Sequence, residues 1–456
     1  MTKPHTFQEF KQSSQEKAFD RSHREKIGYN ISCYDKSFEK GLGIYSNLAL
    51  AKQRVAVKKH SVLEHLEDHL KTFEQKFTSR GGKVIWARDA EDACSAILDI
   101  LERQYIKTVV KSKSMTTEEI GLTTFLEKNG VECTETDLGE FIVQISDDKP
   151  YHIVTPAMHL SAGDVAKIFH EKHDLPEDSS PEEIAAFVRP LLRERFIRAG
   201  AGITGANFVI SGTGSIALTE NEGNALFCAS APRIHIAVAG IEKVIPSPED
   251  LDLFWPLLAV HGTGQDMSAY NTIVSGPCAS DEQEGPEQMY VILLDNGRSR
   301  LLSTIPQRRA LSCIRCGACL NACPVYKNIG GHSYGTVYSG PIGSIISPHL
   351  SGQLKEYIHL SYASSLCGRC TEVCPAGIDL HHQLLQNRRL AVRSAFPPRT
   401  ERWGIKAYKM TMSKASRLDK VPPGAKNLFA RIFLSGAWGP RRTLPKVVES
   451  FRKRMC

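Results

Sequence analysis

The sequence predicts an α/β domain that is followed by a short cysteine-rich helical domain and a basic helical tail. Three observations carry this prediction. Strand-like and helix-like segments alternate between residues 81 and 305. Seven of the 13 cysteines fall in two short windows, Cys313–Cys323 and Cys367–Cys374. From His381 to Cys456 there are 18 Lys and Arg residues but only 3 Asp and Glu residues. The predicted regions are therefore 1–80, 81–305, 306–390 and 391–456.

Residues 1–80 are predicted to be mostly helical. The segment VLEHLEDHLKTFEQKF places apolar residues close to a period of 3.6, as in an amphipathic helix. Gly81 and Gly82 follow it and are expected to end the helix.

Residues 81–305 alternate between strand and helix patterns. The predicted strands are KVIWA, TVVKSKS, VECTETD, EFIVQIS, HIVTPA and QMYVILLDNG. The predicted helices are AEDACSAILDILERQ, TTEEIGLTTFLEKNG, AGDVAKIFHEKH, PEEIAAFVRPLLRERFIRAG and PEDLDLFWPLLAVHG. A β-rich stretch, ANFVISGTGSIALTENEGN and RIHIAVAGIEKVIP, lies between the last two helices. Helices between strands favour a largely parallel sheet.

The composition excludes several classes of protein. The polar N-terminus lacks the apolar segment of a secretory signal, and no apolar run approaches the roughly 20 residues that span a bilayer. We therefore expect a cytoplasmic protein, in which thiols stay reduced. Clustered cysteines indicate a metal centre, because a disulfide framework would spread them along the chain.

The first window reads Cys313-x2-Cys316-x2-Cys319-x3-Cys323-Pro324, the ligand run of bacterial ferredoxins. In proteins with two clusters the fourth cysteine of such a run ligates the other cluster. The spacing thus predicts two [4Fe–4S] clusters. The ligands of the first are Cys313, Cys316, Cys319 and Cys374, and those of the second are Cys323, Cys367 and Cys370.

The second cluster lacks a fourth cysteine, because Ser364 stands where the spacing requires one. The candidate ligands are the Ser364 hydroxyl, His332, water, a substrate or a partner subunit. A three-iron cluster, which needs no fourth ligand, is a further alternative. Two zinc sites fit less well, since zinc prefers complete sets of four ligands.

Other segments suggest weaker sites. The turn GTGS could bind an anion, and Glu220 and Glu222 after it could act in acid–base catalysis, but a structural turn explains the same residues. Lys111 and Lys113 end a predicted strand and could meet a carboxylate, although solvated lysines are the commoner case. His381 and His382 could ligate a metal or lie at the surface.

Two further patterns are discounted or left open. GAGITG follows a predicted helix and precedes a predicted strand, the reverse of a dinucleotide-binding context. The basic tail could be a partner surface, an interfacial membrane anchor or a solvated helical face, and no motif supports nucleic acid binding. Its aromatic residues are Trp403, Tyr408, Phe429, Phe433 and Trp438.

The α/β region resembles the lactate-utilization domain (LUD) family in FVISGTGSIALTENEGN, PRIHIAVAGIEKVIP and HIVTPAMHLSAGDVAKIF. The cysteine-rich segments CIRCGACLNACPVY and SLCGRCTEVCPAGIDLH, with 43 residues between Cys323 and Cys367, resemble α-helical ferredoxin modules. The chain as a whole resembles the iron–sulfur subunits of three-protein L-lactate utilization systems.

The resemblance implies a LUD fold similar to that of ribose-5-phosphate isomerases and CoA-transferases. It also implies that a serine at position 364 is usual. The implied function is electron transfer in the oxidation of L-lactate to pyruvate. The implied partners are a cysteine-rich heterodisulfide-reductase-like subunit and a second LUD protein. The alternative is a non-redox isomerase, transferase or regulator whose clusters brace the fold or sense oxygen.

Overall fold

The computed structural model describes residues 5–282, 284–397, 399–414, 421–433 and 443–448. The chain divides into two compact units, Met1–Arg389 and Leu390–Cys456. Within the described ranges the strands are β1 Lys83–Ala87, β2 Thr108–Lys111, β3 Glu132–Glu135, β4 Ala201–Gly205, β5 Phe208–Ile210, β6 Ser215–Glu220, β7 Ile234–Gly240, β8 Val244–Ile245, β9 Tyr270–Val274 and β10 Gln288–Leu294.

The helices of the described residues fall before, within and after the α/β region. They are α1 Phe7–Phe19, α2 Arg21–Leu42, α3 Leu48–Glu64, α4 Leu66–Thr78, α5 Ala90–Arg103, α6 Met115–Glu119, α7 Leu122–Lys128, α8 Leu138–Ile145, α9 Ala162–His173, α10 Pro181–Arg198, α11 Asn224–Ser230, α12 Leu251–Thr263, α13 Arg298–Ser303, α14 Ala318–Ala322, α15 Tyr326–Ile329, α16 Gly340–Leu350, α17 Leu354–Tyr357, α18 Arg369–Val373, α19 Leu380–Arg393, α20 Arg399–Met412 and α21 Pro423–Phe433.

The α/β region is built on a parallel sheet with the strand order β1-β10-β7-β4-β2-β3. Strand β7 is buried along its whole length, as expected for a parallel sheet that helices cover on both faces. Ile236 and Val238 pack with residues of α5 and α7 on one face. Ala237 and Ala239 pack with residues of α4 on the other. A smaller sheet has the order β8-β5-β6-β9.

The structure confirms the predicted α/β class but corrects four local predictions. The segment EFIVQIS forms α8 and not a strand, because the Asp137 side chain accepts the Glu140 N–H at 3.1 Å and caps a helix. HIVTPA is a loop. GAGITG lies mainly in the inner strand β4, where a Cβ on Gly202 would stand 1.8 Å from the Cys228 carbonyl oxygen. The predicted helix over residues 62–77 is broken at His65.

The N-terminal helices contact a part of the chain that lies 300 residues later. Helices α1 and α2 pack against α15, and α1 also contacts the turn His332–Tyr334. The Phe10 and Tyr334 rings are 6.0 Å apart, and Ser13 Oγ donates to Ser333 Oγ at 3.3 Å. These helices therefore belong to the same core as the cysteine-rich segment.

The C-terminal unit contains α20 and α21, in agreement with the predicted helical tail. Trp403 and Tyr408 are exposed, and the Lys406 ammonium lies 5.6 Å from the centre of the Trp403 ring. Phe429 is also exposed, Phe433 ends α21, and Trp438 lies outside the described residues. Across the described ranges no helix combines the length and the apolar character needed to cross a membrane.

Candidate metal centre

The two cysteine windows have the same backbone conformation. Gly317 and Gly368 each follow a cysteine, have φ values of 78° and 84°, and begin the short helices α14 and α18. The residue before that cysteine also has a positive φ in both windows, 62° at Arg315 and 56° at Leu366. Positive φ values are uncommon for residues other than glycine, so their repetition marks two copies of one loop.

Each short helix carries one cysteine and is followed by another. Helix α14 carries Cys319 and ends before Cys323, whereas α18 carries Cys370 and ends before Cys374. The two helices pack against each other. The exchange of ligands that the spacing predicts requires such a pair of neighbouring helices.

The first thiol set, Cys313, Cys316, Cys319 and Cys374, lines one cavity. The other residues of the cavity wall are mostly apolar and include Ile153, and Arg315 is the charged residue among them. Burial and the neighbouring thiols raise the pKa of Cys316 and Cys319, and burial raises that of Cys374 to about 11. Four thiolates this close repel one another, so the set suits a cationic metal cluster that keeps them deprotonated.

The second thiol set consists of Cys323, Cys367 and Cys370. Burial and, to a smaller extent, the charges of Cys323 and Cys367 raise the pKa of Cys370 to about 12. Cys323 and Cys370 are buried, but Cys367 is exposed. The second set therefore lies nearer the solvent than the first.

Ser364 occupies the place in the second loop that Cys313 occupies in the first. The Arg315 N–H donates to Cys313 Sγ at 3.4 Å, and the Leu366 N–H donates to Ser364 Oγ at 3.1 Å. Each donor lies two residues after its acceptor. The hydroxyl oxygen thus has the same local relation to its loop as the ligand sulfur of the first window.

His332, the other protein side chain considered as a ligand, is bound elsewhere. Its Nε2 donates to the Lys149 carbonyl at 2.7 Å and lies 3.8 Å from a carboxylate oxygen of Asp148. Both partners belong to the α/β region. These contacts favour Ser364 over His332 as the ligand.

A buried network of charges supports the first window. The Arg315 guanidinium lies 3.3 Å from the Glu242 carboxylate and 4.4 Å from the centre of the Tyr338 ring. Arg298 bonds Glu242 at 2.5 Å and Glu119 at 2.8 Å. Burial alone would lower the pKa of Arg315, but Cys313, Tyr338 and Glu242 raise it. Arg315 was not among the residues predicted from the sequence, although its position between two cysteines of the first window was a signal for it.

The two lysines proposed to meet a carboxylate have partners within the chain. Lys111 is fully buried and lies 2.8 Å from Glu135 and 3.3 Å from Glu118. Burial would lower the pKa of Lys111, but these carboxylates raise it well above its ordinary value. The expectation that Lys111 is solvated is therefore wrong. Lys113 bonds Asp137 at 2.9 Å and the Val154 carbonyl at 3.1 Å.

The weak catalytic candidates Glu220 and Glu222 accept hydrogen bonds from backbone N–H groups. Glu220 accepts the N–H groups of Ala225 and Leu226 at 2.7 and 2.8 Å and so caps α11. Glu222 accepts the Leu138 N–H at 3.3 Å. Burial raises the pKa of both carboxyl groups. These contacts explain the two residues without a role in catalysis.

The GTGS segment is a turn between the antiparallel strands β5 and β6. The Gly212 N–H donates to the Pro246 carbonyl at 2.7 Å, and Lys76 donates to the Gly212 carbonyl at 2.5 Å. Carbonyl groups that face cations do not form an anion site. The geometry therefore favours the structural turn.

His381 and His382 also have partners. His381 Nδ1 lies 2.8 Å from Thr371 Oγ1, and His382 Nδ1 lies 2.5 Å from Asp379. The two rings stack with their centres 4.2 Å apart. Their contacts are those of a surface pair that packs beside α18.

Two protein-family models match the α/β region and the cysteine-rich region of this chain. The LUD domain family matches residues 70–294, and the 4Fe-4S dicluster domain family matches residues 309–378. A crystal structure of a DUF162 family protein from Deinococcus radiodurans is 17% identical, with a TM-score of 0.29, and covers 50% of this chain and 98% of its own.

Curated relatives match over most of their length. Lactate utilization protein B from Bacillus pumilus is 43% identical over 78% of this chain and 75% of its own. The protein of that name from Bacillus velezensis is 44% identical over 78% and 75%. The one from Bacillus cereus strain AH820 is 42% identical over 82% and 79%. These matches confirm the resemblance, and the chain belongs to the lactate utilization protein B family.

Proposed function

We propose that this chain is the iron–sulfur electron-transfer subunit of a system that oxidises L-lactate to pyruvate. The observation that carries the proposal is the packing of α14 against α18, each of which carries one cysteine and is followed by another. The names of the relatives supply the connection with lactate.

The cofactors in this proposal are two [4Fe–4S] clusters, which would supply one-electron transfer. Cys313, Cys316, Cys319 and Cys374 would hold the first, and Cys323, Cys367 and Cys370 would hold the second. The buried set suits an internal relay, and the set with the exposed Cys367 suits exchange with a partner.

The two sets are close enough to act together. Cys319 and Cys323 are four residues apart across α14, which corresponds to about 6 Å along a helix at 1.5 Å per residue. Oxidation of lactate to pyruvate releases two electrons and two protons. Two one-electron centres can take the electron pair, and the protons can pass to water.

The proposed partners are two other lactate-utilization proteins, a cysteine-rich heterodisulfide-reductase-like subunit and a second LUD protein, and the proposed location is the cytoplasm. These partners come from the resemblance of the chain to the iron–sulfur subunits of three-protein systems. Glu220, Glu222, Lys111 and Lys113 have partners in this chain, so none of them is assigned to lactate in this proposal.

The test is to purify the chain without oxygen and to measure iron, acid-labile sulfide and the EPR spectrum. The spectrum is recorded before and after L-lactate is added with the two partner proteins, and D-lactate is the control. We expect about eight irons per chain, from two cubes of four, and new signals of reduced clusters with L-lactate. Zinc without sulfide, or signals that ignore lactate, would overturn the proposal.

A further inference from the structure

The second thiol set has three cysteines, and we compare the groups among the described residues that could complete it. Outside the two windows, Cys94, Cys133 and Cys228 are buried in the α/β region, Cys278 lies partly buried in that region, and Cys33 is exposed on α2. His332 is held by Lys149 and Asp148. Ser364, three residues before Cys367, stands at the sequence position of the absent ligand.

The backbone places the Ser364 hydroxyl as it places the Cys313 thiol. The two loops share the positive φ of Arg315 and Leu366 and the same N–H contact to the side chain two residues earlier. A hydroxyl oxygen has two lone pairs, so accepting one N–H leaves a second for a metal. The second loop therefore has the Ser364 hydroxyl oxygen where the first loop has the Cys313 sulfur.

A separate contact fixes the start of the second loop. Arg388 donates from Nη2 to the Ser364 carbonyl at 2.9 Å and from Nε to the Ser361 carbonyl at 2.9 Å. Its guanidinium lies 5.1 Å from the centre of the Tyr362 ring. The backbone of residue 364 is thus held in place by interactions that leave its side chain free to act.

We propose that Ser364 Oγ is the fourth protein ligand of the second cluster, which makes this cluster a three-cysteine, one-serine centre. The inference rests on the proposed two-cluster function. On ligation the hydroxyl releases its proton to water, as each cysteine thiol does, and no electrons are transferred. An oxygen ligand is harder than a thiolate and favours oxidised iron, so it lowers the reduction potential of the cluster.

The test compares three variants of the full chain, Ser364→Cys, Ser364→Ala and Ser365→Cys, all purified without oxygen. Ser365 is exposed and adjacent, so its variant adds a thiol that is out of register with the ligand position. Iron, sulfide, Mössbauer and EPR spectra and redox titrations are measured for each. The readouts concern the second cluster itself and do not depend on lactate oxidation.

We expect Ser364→Cys to keep about eight irons, to change the spectra of one cluster and to raise its potential. Ser364→Ala should lose about one iron per chain and show a three-iron signal after oxidation. Ser365→Cys should match the wild type. Spectra of both Ser364 variants that equal the wild type, or that equal those of Ser365→Cys, would overturn the inference.

Measurements on the wild-type chain distinguish the failure of this inference from the failure of the proposed function. A wild-type chain with eight irons and lactate-dependent signals, combined with silent Ser364 variants, would refute only the serine ligand. A wild-type chain with about seven irons and a three-iron signal would also refute it. A wild-type chain with zinc and no sulfide would refute both.

Discussion

The two cysteine windows share a backbone but differ in their surroundings. Both have a positive φ before the central cysteine, a glycine after it, and a short helix that ends at a cysteine followed by proline. The first is surrounded by the apolar core and buried charges, whereas the second exposes Cys367 and begins with a serine. One loop geometry thus occurs in both cysteine windows, and the differences between the windows come from the surrounding residues.

The largest expected effect is a difference in stability between variants that each lack one predicted ligand cysteine. We expect Cys316→Ala to remove the buried cluster and to lower the melting temperature by on the order of 10 °C, because several kcal/mol of metal-binding energy in the core are lost. Cys367→Ala should lose the second cluster and lower the melting temperature by a smaller amount. Calorimetry and iron analysis measure both, with the exposed Cys33→Ala as control. Equal falls for the two variants would contradict the comparison.

Arg315→Leu replaces the arginine before Cys316 by leucine, the residue that precedes Cys367 in the second window. Glu242 keeps its bond to Arg298, so we expect a loss of about 2 kcal/mol, less than when a buried charge is left alone. Removal of the positive charge should also lower the reduction potential of the buried cluster. Denaturant unfolding and redox titration measure the two effects, with Leu366→Ala as the matched control. An unchanged potential would argue against a cluster beside Arg315.

Gly317 and Gly368 allow a further comparison of the two loops. Ala at either position is strained by roughly 1 kcal/mol, because φ is positive. A Cβ on Gly317 would also lie 3.0 Å from Cε1 of the buried His152, whereas on Gly368 the nearest atom is 3.9 Å away. Gly317→Ala should therefore destabilise the chain by about 1 kcal/mol more than Gly368→Ala in denaturant unfolding. The reverse order would show that the first loop is not the tighter one.

The smallest expected effect is that of Arg388→Ala. It removes two hydrogen bonds to carbonyl groups at a partly exposed site, so we expect a loss of about 1 kcal/mol or less. The EPR signal of the second cluster should broaden, and that of the first should stay the same. Arg389→Ala, on the next residue of α19, is the control. A change confined to the first cluster would be the opposite of this expectation.

The cysteine sites could be predicted from the sequence because ligation imposes fixed local spacings. The same spacing indicated Ser364 as a candidate ligand, and in the structure its Oγ accepts the Leu366 N–H. The parallel sheet was also predictable, since strands such as β7 are apolar at every position but one, His235. In each case the physical cause lies within a few consecutive residues.

The errors came from interactions between distant segments or from ambiguous patterns. A short apolar run such as EFIVQIS suits a strand or a helix, and the Asp137 cap decides between them. Strand β4 is rich in glycine because the Cys228 carbonyl packs against Gly202. Lys111 is buried because carboxylates from β3 and from α6 converge on it. No local pattern reports such convergence.

The contact between α1 and the turn His332–Tyr334 has a consequence for biosynthesis. Helix α1 precedes its docking surface by the whole α/β region, so it can dock there only after that region has been synthesised. No side chain of α1, all of whose residues are described, is fully buried. Its Phe10 ring lies 6.0 Å from the Tyr334 ring of that turn. The docking of α1 therefore comes after synthesis of the first cysteine window, which lies just before the turn in the sequence.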